Sequence, residues 1–263
     1  MSFALRLAAL PLWASAIIVV VVPTMIAMFG PAIVRRTVGL ERLATNNEVA
    51  GFKFAVLGVV YAVLMGFAVI VVWEKFHDAE SAVAQEAGTT ATLFRLSAGM
   101  SAEGGAAVRQ RLAAYIHTAI DDDWPSMARG DQNPAATHAV NELYAAALGE
   151  HPADARGVAL LSEVFAQLDQ LTIARRSRLV LAEGSVPGVV WSVLCVGAVV
   201  TVGFTFFFGT PSLRAQGLMT ALLAVTVFMG LLVIISINGP FTGSVSVGFE
   251  PLLLVLREFG GQT

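Results

Sequence analysis

Four long apolar runs, separated by more polar segments, dominate the pattern of hydrophobic positions along the chain. They cover Leu7–Val34, Val49–Trp73, Pro187–Phe208 and Leu213–Ile237. Each run is about 20 residues or longer, which is the length that a helix needs to cross a hydrocarbon core roughly 30 Å thick. The pattern therefore predicts four transmembrane helices, which we call spans one to four.

Span one begins like a secretory signal, because Arg6 and a short apolar core precede the small residues Ala14-Ser15-Ala16. Strong hydrophobicity continues well past that site, so we favour a retained helix over a cleaved signal peptide. Pro23 has no amide hydrogen to donate and predicts a kink in the middle of span one. Pro31 predicts the far end of this helix.

A polar insert, Glu74–Val186, separates spans two and three and carries all four histidines. Its apolar residues recur at helical spacing in four stripes, which predicts a small helical bundle. The stripes are Phe76, Ala79, Val83, Ala87, Thr90 and Phe94; Val108, Leu112, Tyr115 and Ala119; Val140, Leu143, Tyr144 and Leu148; and Leu161, Val164, Phe165, Leu168, Leu171 and Thr172. We expect Phe94 and Phe165 in its core.

Helix-breaking residues divide the insert at Gly104-Gly105, at Trp124-Pro125, from Gly130 to Pro134 and from Gly149 to Pro152. No such residue separates Trp73 from Phe76, so span two is expected to continue directly into the first insert helix.

The chain is thus predicted to be all-α and to divide into four parts. Residues 1–73 hold spans one and two, 74–186 the insert, 187–237 spans three and four, and 238–263 a C-terminal tail. The apolar run Leu252–Leu256 in the tail is too short to cross a membrane. It suits either an interfacial helix or a helix packed on the bundle.

Composition supports a membrane protein and narrows its chemistry. Hydrophobic residues make up 56% and charged residues only 13% of the chain, whereas about a quarter of a soluble domain is charged. The net charge of −3 offers no basic footprint for nucleic acid. Cys195 is the only cysteine and lies in an apolar run, so no intrachain disulfide is expected.

Candidate metal ligands are sparse. Glu74 and His77 form half of a di-metal motif, and His117 and Asp121 are four residues apart, but neither pair has the further ligands that a metal site needs. Asp121-Asp122-Asp123 before Trp124 lacks the spacing of a calcium loop, so we expect a solvated helix end there. We expect no metal, no cofactor and no enzyme activity.

Small residues follow one side of span two, at Gly51, Ala55, Gly58, Ala62 and Gly66. A helix that is smooth along one face can approach another helix closely, or it can border an aqueous axis. Both interpretations, helix packing and pore lining, stay open.

Polar residues precede span two and have two interpretations. Asn46, Asn47 and Glu48 suit the start of a helix, because asparagine caps free amides and glutamate meets the positive end of the helix dipole. Alternatively they lie at a pore mouth together with nearby basic residues, at Arg35, Arg36 and Lys53. Such basic residues raise the local concentration of anions.

Two segments of span two resemble the second transmembrane helix of bestrophins. Leu57–Tyr61 resembles their Leu-Gly-Phe-Tyr-type segment, and Val72–Phe76 resembles their Trp-Trp-x-x-Tyr/Phe exit, although Glu74 replaces the second tryptophan. Nearly the whole chain is similar to the bacterial bestrophin-like membrane proteins. The matching segments are Glu41–Phe52, Trp124–Met127, Arg214–Leu222 and Gly239–Gly243.

Bestrophins are pentameric anion channels whose second helix lines a hydrophobic neck, so the resemblance implies that role for span two. It also implies that the termini and the insert are cytoplasmic, an orientation that the charges near the spans do not decide. The bestrophin neck is lined by bulky apolar rings, whereas the best-aligned positions here are Gly51, Ala55 and Val59. A neck built from these is wider, or another face lines it. The bestrophin calcium clasp has no match in the tail.

The sequence therefore predicts a homo-oligomeric channel for small anions in the lipid bilayer of the bacterial inner membrane, with five subunits implied by the resemblance. The predicted pore-lining residues are Gly51, Ala55, Gly58, Val59, Ala62 and Gly66, and the predicted mouth residues are Arg35, Arg36, Asn46, Asn47, Glu48 and Lys53. The alternative is a membrane-anchored helical interaction or sensing module without transport activity.

Overall fold

The computed structural model describes residues 3–131, 133–183 and 186–260, and within these ranges it is all-helical, with no β-strand. The α-helices are α1 (Phe3–Ala8), α2 (Leu12–Ala16), α3 (Val22–Val38), α4 (Leu40–Thr45), α5 (Asn47–Ser97), α6 (Ala102–Thr118), α7 (Trp124–Arg129), α8 (Ala135–Leu148), α9 (Ala155–Leu181), α10 (Gly188–Phe204), α11 (Leu213–Ile237) and α12 (Glu250–Gly260). Two π-helical turns, Ile17–Val21 and Ala119–Asp123, and one 3₁₀ turn, Thr205–Phe207, connect some of them.

Four helical segments are long and apolar enough to cross a membrane, as predicted. They are Leu12–Val38, Asn47–Ser97, Gly188–Phe207 and Leu213–Ile237. Span four has the predicted bounds. Span two runs without interruption into the insert as the 51-residue helix α5, which confirms the continuity expected from the unbroken sequence after Trp73.

The prediction that Pro31 ends span one is wrong, because α3 continues through Pro31 to Val38. A proline clashes mainly with the Cβ atom and amide of the preceding residue, and that residue is Gly30, which has no Cβ. Pro23 lies in the first turn of α3, directly after the π turn Ile17–Val21. The π turn marks a local change of helical geometry where proline removes a backbone hydrogen bond.

The chain forms two compact units. Among the residues that the structure describes, the membrane unit comprises 3–74 and 186–238, and the insert unit comprises those in 75–183 and 239–260. Helix α5 contributes residues to both. The C-terminal residues from Gly239 onward belong to the insert unit, where α12 packs through Phe259 on Phe94 with ring centroids 3.9 Å apart.

Glycines let large side chains enter neighbouring helices of the membrane unit. A Cβ atom on Gly197 of span three would lie 2.6 Å from the ring of Tyr61 in span two, so the ring occupies the space of the missing side chain. The Tyr61 hydroxyl also donates a hydrogen bond to the Leu194 carbonyl at 3.1 Å. Gly230 of span four receives Met65 of span two in the same way. These contacts determine which face of span two points into the subunit.

The core of the insert unit contains most of the predicted stripes. Buried residues from α5, α6, α8 and α9 form one cluster, with Ala79, Val83, Leu112, Leu143 and Leu168 almost completely inaccessible. Phe94 and Phe165 are partly buried against this cluster. The prediction that Leu148 belongs to a buried stripe is wrong, because its side chain is 67% exposed at the end of α8.

Two predicted breaks in the insert are wrong. Helix α6 begins directly after Ser101, whose hydroxyl accepts a hydrogen bond from the Gly104 amide, so Gly104 and Gly105 lie inside its first turns. Position 105 requires glycine, because a Cβ atom on this residue would lie only 2.3 Å from the Ser97 carbonyl oxygen. Pro125 also breaks no helix, since the chain continues from the π turn Ala119–Asp123 directly into α7 and the changed helical geometry of the π turn accommodates the missing amide hydrogen of proline.

A buried ionic cluster joins three helices of the insert unit and the π turn between α6 and α7. The Arg178 guanidinium is completely inaccessible and pairs with Glu86 at 2.6 Å and with Asp123 at 3.0 Å. Arg175 pairs with the same Asp123 oxygen at 3.2 Å, and the Tyr115 hydroxyl donates to Glu86. The prediction that residues 121–123 form a solvated helix end is therefore wrong for Asp123, because the π turn directs this residue into the core.

Trp124 connects the cluster to the C-terminal segment. The Arg178 guanidinium carbon lies 4.4 Å from the centre of the Trp124 ring, and the indole nitrogen donates to the Val247 carbonyl at 3.2 Å. Burial alone would lower the pKa of Arg178, but the Glu86 carboxylate and its hydrogen bonds raise that pKa above its ordinary value. Burial, and then the charge of Glu86, raise the pKa of Tyr115 well above its ordinary value. Arg178 is therefore charged and Tyr115 neutral in the folded insert.

We predict that Arg178→Met strongly destabilises the insert unit, because it leaves two buried carboxylates without their shared cation. Removing one partner of a buried pair typically costs about 3–5 kcal/mol. The matched control is Arg176→Met, since Arg176 is exposed on the same helix. Thermal unfolding of the purified full chain, followed by circular dichroism, measures the difference. Equal melting temperatures for the two variants would show that the cluster does not stabilise this unit.

Candidate functional site on the second span

One face of span two packs inside its own subunit. Tyr61, Ala68 and Val72 are at least 92% buried, and Phe54 and Met65 are partly buried. A helix turns by about 100° per residue, which places these five residues on a single face. The other faces of span two make no comparable contacts within the membrane unit.

The predicted pore-lining residues lie on a flank of span two that the subunit leaves open. A Cβ atom on Gly58 or Gly66 would meet no atom within 4 Å, and one on Gly51 would meet only Phe208, at 4.0 Å. Ala55 and Ala62 are exposed, and Val59 is 63% exposed. Packing within one chain therefore does not explain these small residues. We call the flank formed by Gly51, Ala55, Gly58, Ala62 and Gly66 the small-residue face.

A second exposed face, which the sequence reasoning missed, lies beside the small-residue face. It carries large apolar side chains at Phe52, Val56, Val63, Phe67 and Ile70, all more than half exposed. Their spacing of three, four or seven residues was the available signal. Span two thus offers two kinds of unpartnered apolar surface, one smooth and one bulky.

The side chain of the predicted mouth residue Asn47 hydrogen-bonds the start of span two to the connector between spans three and four. Its side-chain amide donates to the Gly209 carbonyl at 2.7 Å and accepts from the Gly209 amide at 2.8 Å. Gly209 packs so closely on α4 that a Cβ atom would lie 2.4 Å from the Ala44 nitrogen. Asn46 is exposed, and its side chain donates weakly to the Arg42 carbonyl at 3.4 Å.

Side chains also satisfy the other carbonyl groups of this connector. Arg35 donates to the Thr210 and Pro211 carbonyls, each at 3.3 Å, and Gln216 donates to the Phe208 carbonyl. The Ser212 carbonyl accepts a hydrogen bond from the backbone amide of Gln216 at 3.1 Å. Backbone groups in an apolar environment need such partners. The carbonyl groups of residues 208–212 are therefore occupied and do not form an open ring of ligands for an ion.

The three remaining mouth residues, Arg36, Glu48 and Lys53, are exposed. At about 100° per residue, Glu48 lies in line with the small-residue face, whereas Lys53 lies about 160° around the helix from both Gly51 and Ala55. An axis bordered by the small-residue face therefore meets Glu48 before Lys53.

Metal-binding geometry is not found in the described ranges, where no three His, Cys, Asp or Glu side chains come together. His77 lies 3.5 Å from Glu80, one turn along α5, and both are exposed.

Solved structures share this fold. One is a bacterial bestrophin homologue from Klebsiella pneumoniae solved by Zn-SAD phasing, with a TM-score of 0.68 and 15% sequence identity, covering 90% of this chain and 96% of that chain. Another is a single-substitution variant of a bacterial bestrophin homologue from Klebsiella pneumoniae, with a TM-score of 0.69 and 13% identity over the same shares of the two chains. At these identities the likeness establishes the fold.

No curated protein sequence matches this chain. A family model described as the Bestrophin-like domain matches residues 13–252, which include nearly all of span one, the other three spans and residues 74–186. The resemblance seen in the sequence is thereby confirmed, and the chain is a membrane protein that belongs to the bestrophin-like family.

Proposed function

We propose that this protein is an oligomeric ion channel of the bacterial inner membrane, in which span two of each subunit borders a shared pore for small anions. Membership of the bestrophin-like family supports a channel, because bestrophins are anion channels. The observation that carries the proposal is the small-residue face of span two. Gly58 and Gly66 meet no atom within 4 Å in their own subunit, and Gly51 meets only Phe208 at 4.0 Å, whereas Gly30, Gly197 and Gly230 of the other spans each receive a large side chain.

Several copies are needed because one subunit does not surround a pore. Span two turns its packed face toward its own subunit, so its small-residue face is not enclosed by the other spans of the same chain. A ring of subunits would bring the small-residue faces to a common axis, and family resemblance suggests five copies. The bulky exposed face of span two would then contact the neighbouring subunit or lipid.

The insert is proposed to lie in the cytoplasm, again by family resemblance. Its buried ionic cluster supports a folded bundle rather than a linker. No catalytic role is proposed for it, since its buried Arg, Glu, Asp and Tyr groups are engaged with one another.

A second candidate, a cation channel, is favoured by one specific observation. Glu48 lies in line with the small-residue face, and a ring of carboxylates at a pore mouth attracts cations. The insert sequence and tail also carry 16 acidic and 10 basic residues in the ranges 75–184 and 239–263. Anion passage is favoured instead by the exposed basic residues Arg42 and Lys53 at the connector end.

A non-channel alternative is a membrane-anchored interaction module, in which the small-residue face only packs against another copy. The channel and the module differ in what bulk on this face would do. Bulk beside an aqueous axis obstructs ion flow, whereas bulk between two closely packed helices separates them.

We predict that Ala62→Trp reduces ion flux through proteoliposomes at least severalfold while the oligomer stays assembled. The matched control is Leu222→Trp on span four, which changes an exposed apolar residue away from span two and should leave flux unchanged. Flux is measured by a fluorescent ion indicator and assembly by size-exclusion chromatography with light scattering. Dissociation of the Ala62→Trp oligomer would favour the module, and wild-type liposomes that pass neither anions nor cations would exclude the channel.

We also predict the effect of two charge-neutralising variants on ion selectivity, measured as the reversal potential in a salt gradient. If the pore passes anions, Glu48→Gln makes the channel more anion-selective, and Lys53→Gln has a smaller, opposite effect because it lies off the small-residue face. Both shifts should shrink at high salt, where charges are screened. A cation-selective wild type that loses this preference in Glu48→Gln would establish the second candidate instead.

A further inference from the structure

The outward face of span one ends in an arginine. Ile26, Phe29 and Ile33 are 67%, 65% and 63% exposed and follow one another at helical spacing. Arg36 comes three residues after Ile33, on the same face, and is exposed too. A long cationic side chain at the end of a lipid-facing apolar stripe can extend toward the headgroup region.

Span four has the same arrangement at the corresponding end. Leu218, Leu222 and Met229 are 59%, 63% and 47% exposed and form the outward stripe of this helix. Arg214 precedes Leu218 by four residues and is exposed on that stripe. Each of the two helices therefore presents an apolar outer face that terminates in a guanidinium group.

The two arginine-bearing ends lie side by side in the membrane unit. Arg35, next to Arg36, donates to the Pro211 carbonyl at 3.3 Å, only three residues before Arg214. Farther along the same helices, the Cβ position of Gly217 lies 3.6 Å from the Met28 carbonyl oxygen, so spans one and four run in direct contact.

Within the residues that the structure describes, neither Arg36 nor Arg214 forms an ion pair. The acidic residues closest to Arg36 in sequence, Glu41 and Glu48, are exposed and also form none there. Arg36 and Arg214 thus lie at the connector end of the membrane unit, directly beside apolar surface and without a carboxylate partner in the described residues. A guanidinium group binds phosphate oxygens through paired hydrogen bonds.

We propose that Arg36 and Arg214 form a binding site for the phosphate of an anionic phospholipid. The positive charge complements the headgroup, and the outward stripes of spans one and four accommodate the acyl chains. Free phosphate would use only the arginines, so the adjoining apolar stripes favour the lipid. This site does not depend on ion conduction, and it stands or falls separately from the channel.

The test is native mass spectrometry of the purified full chain in detergent, with equal amounts of phosphatidylglycerol and phosphatidylcholine added. Wild type should retain phosphatidylglycerol preferentially. One basic residue near a charged surface contributes enough that each Arg→Gln change should lower the preference about fivefold, and the double variant Arg36→Gln/Arg214→Gln about 30-fold. The Arg36→Lys/Arg214→Lys variant should keep part of the preference.

Two controls separate this site from general charge effects. Arg6→Gln removes the same charge from an exposed residue outside the arginine pair and should leave the preference unchanged. Ile33→Ser/Leu218→Ser keeps both arginines and should weaken lipid retention, because these residues supply the apolar part of the site.

Three results would overturn the proposal. The first is an undiminished phosphatidylglycerol preference in the double Arg→Gln variant when its circular dichroism and melting temperature match wild type. The second is an equal loss in Arg6→Gln, which would indicate nonspecific charge attraction. The third is displacement of the lipid by inorganic phosphate at the same concentration, which would show that the apolar stripes contribute nothing.

Discussion

Close packing at glycines is the interaction on which the membrane unit depends. Lipid is as apolar as the helices themselves, so spans associate through shape rather than through escape from water. Gly30, Gly197 and Gly230 each receive a large side chain from a neighbouring span. A bulkier residue at any of these positions would fill the space that this side chain occupies. Since Tyr61 and Met65 enter two of these spaces, the packing also orients span two about its own axis. The open position of Gly58 and Gly66 is a consequence of that orientation.

Polar groups form hydrogen bonds and ion pairs with one another where the chain leaves regular helix and where charged side chains are buried. In the membrane unit, Arg35, Asn47 and Gln216 bind the backbone of the connector between spans three and four. In the insert unit, Arg178 and Arg175 together neutralise Glu86 and Asp123 in a buried site. Both arrangements specify one packing of the helices, because a helix that shifted would leave a polar group buried without a partner.

Hydrophobic periodicity predicted most of the fold, because membrane spans and amphipathic helices are determined by residues that are close together in the sequence. The unbroken helix α5 and the bounds of span four followed directly from it. The errors have a different origin. Asp123 looked like part of a solvated acidic turn, because its partner Arg178 is 55 residues away. For Asn47, a helix cap and a pore mouth were both open interpretations, and nothing local indicates its bonds to Gly209, which is 162 residues away. Pro31 does not end span one, because Gly30 before it has no Cβ atom for the proline ring to clash with.

The candidate site, too, was predictable from the sequence only in part. The small-residue face of span two was visible in the sequence, and the structure places it outside the subunit's own packing. The partner surface that we propose for it belongs to another subunit, for which the sequence of one chain carries no signal. Proximity in sequence suggested that Glu48 and Lys53 belong to one mouth, but the turn of about 100° per residue in a helix places them on different sides of span two.

The most direct test of this account is a cryo-electron microscopy reconstruction of the full chain in lipid nanodiscs. The account predicts a closed ring of subunits in which Gly58 and Gly66 of span two face the symmetry axis, with a continuous path along it. A dimer, or a ring in which this face of span two contacts only lipid, would contradict the central claim that the small-residue face borders a shared pore.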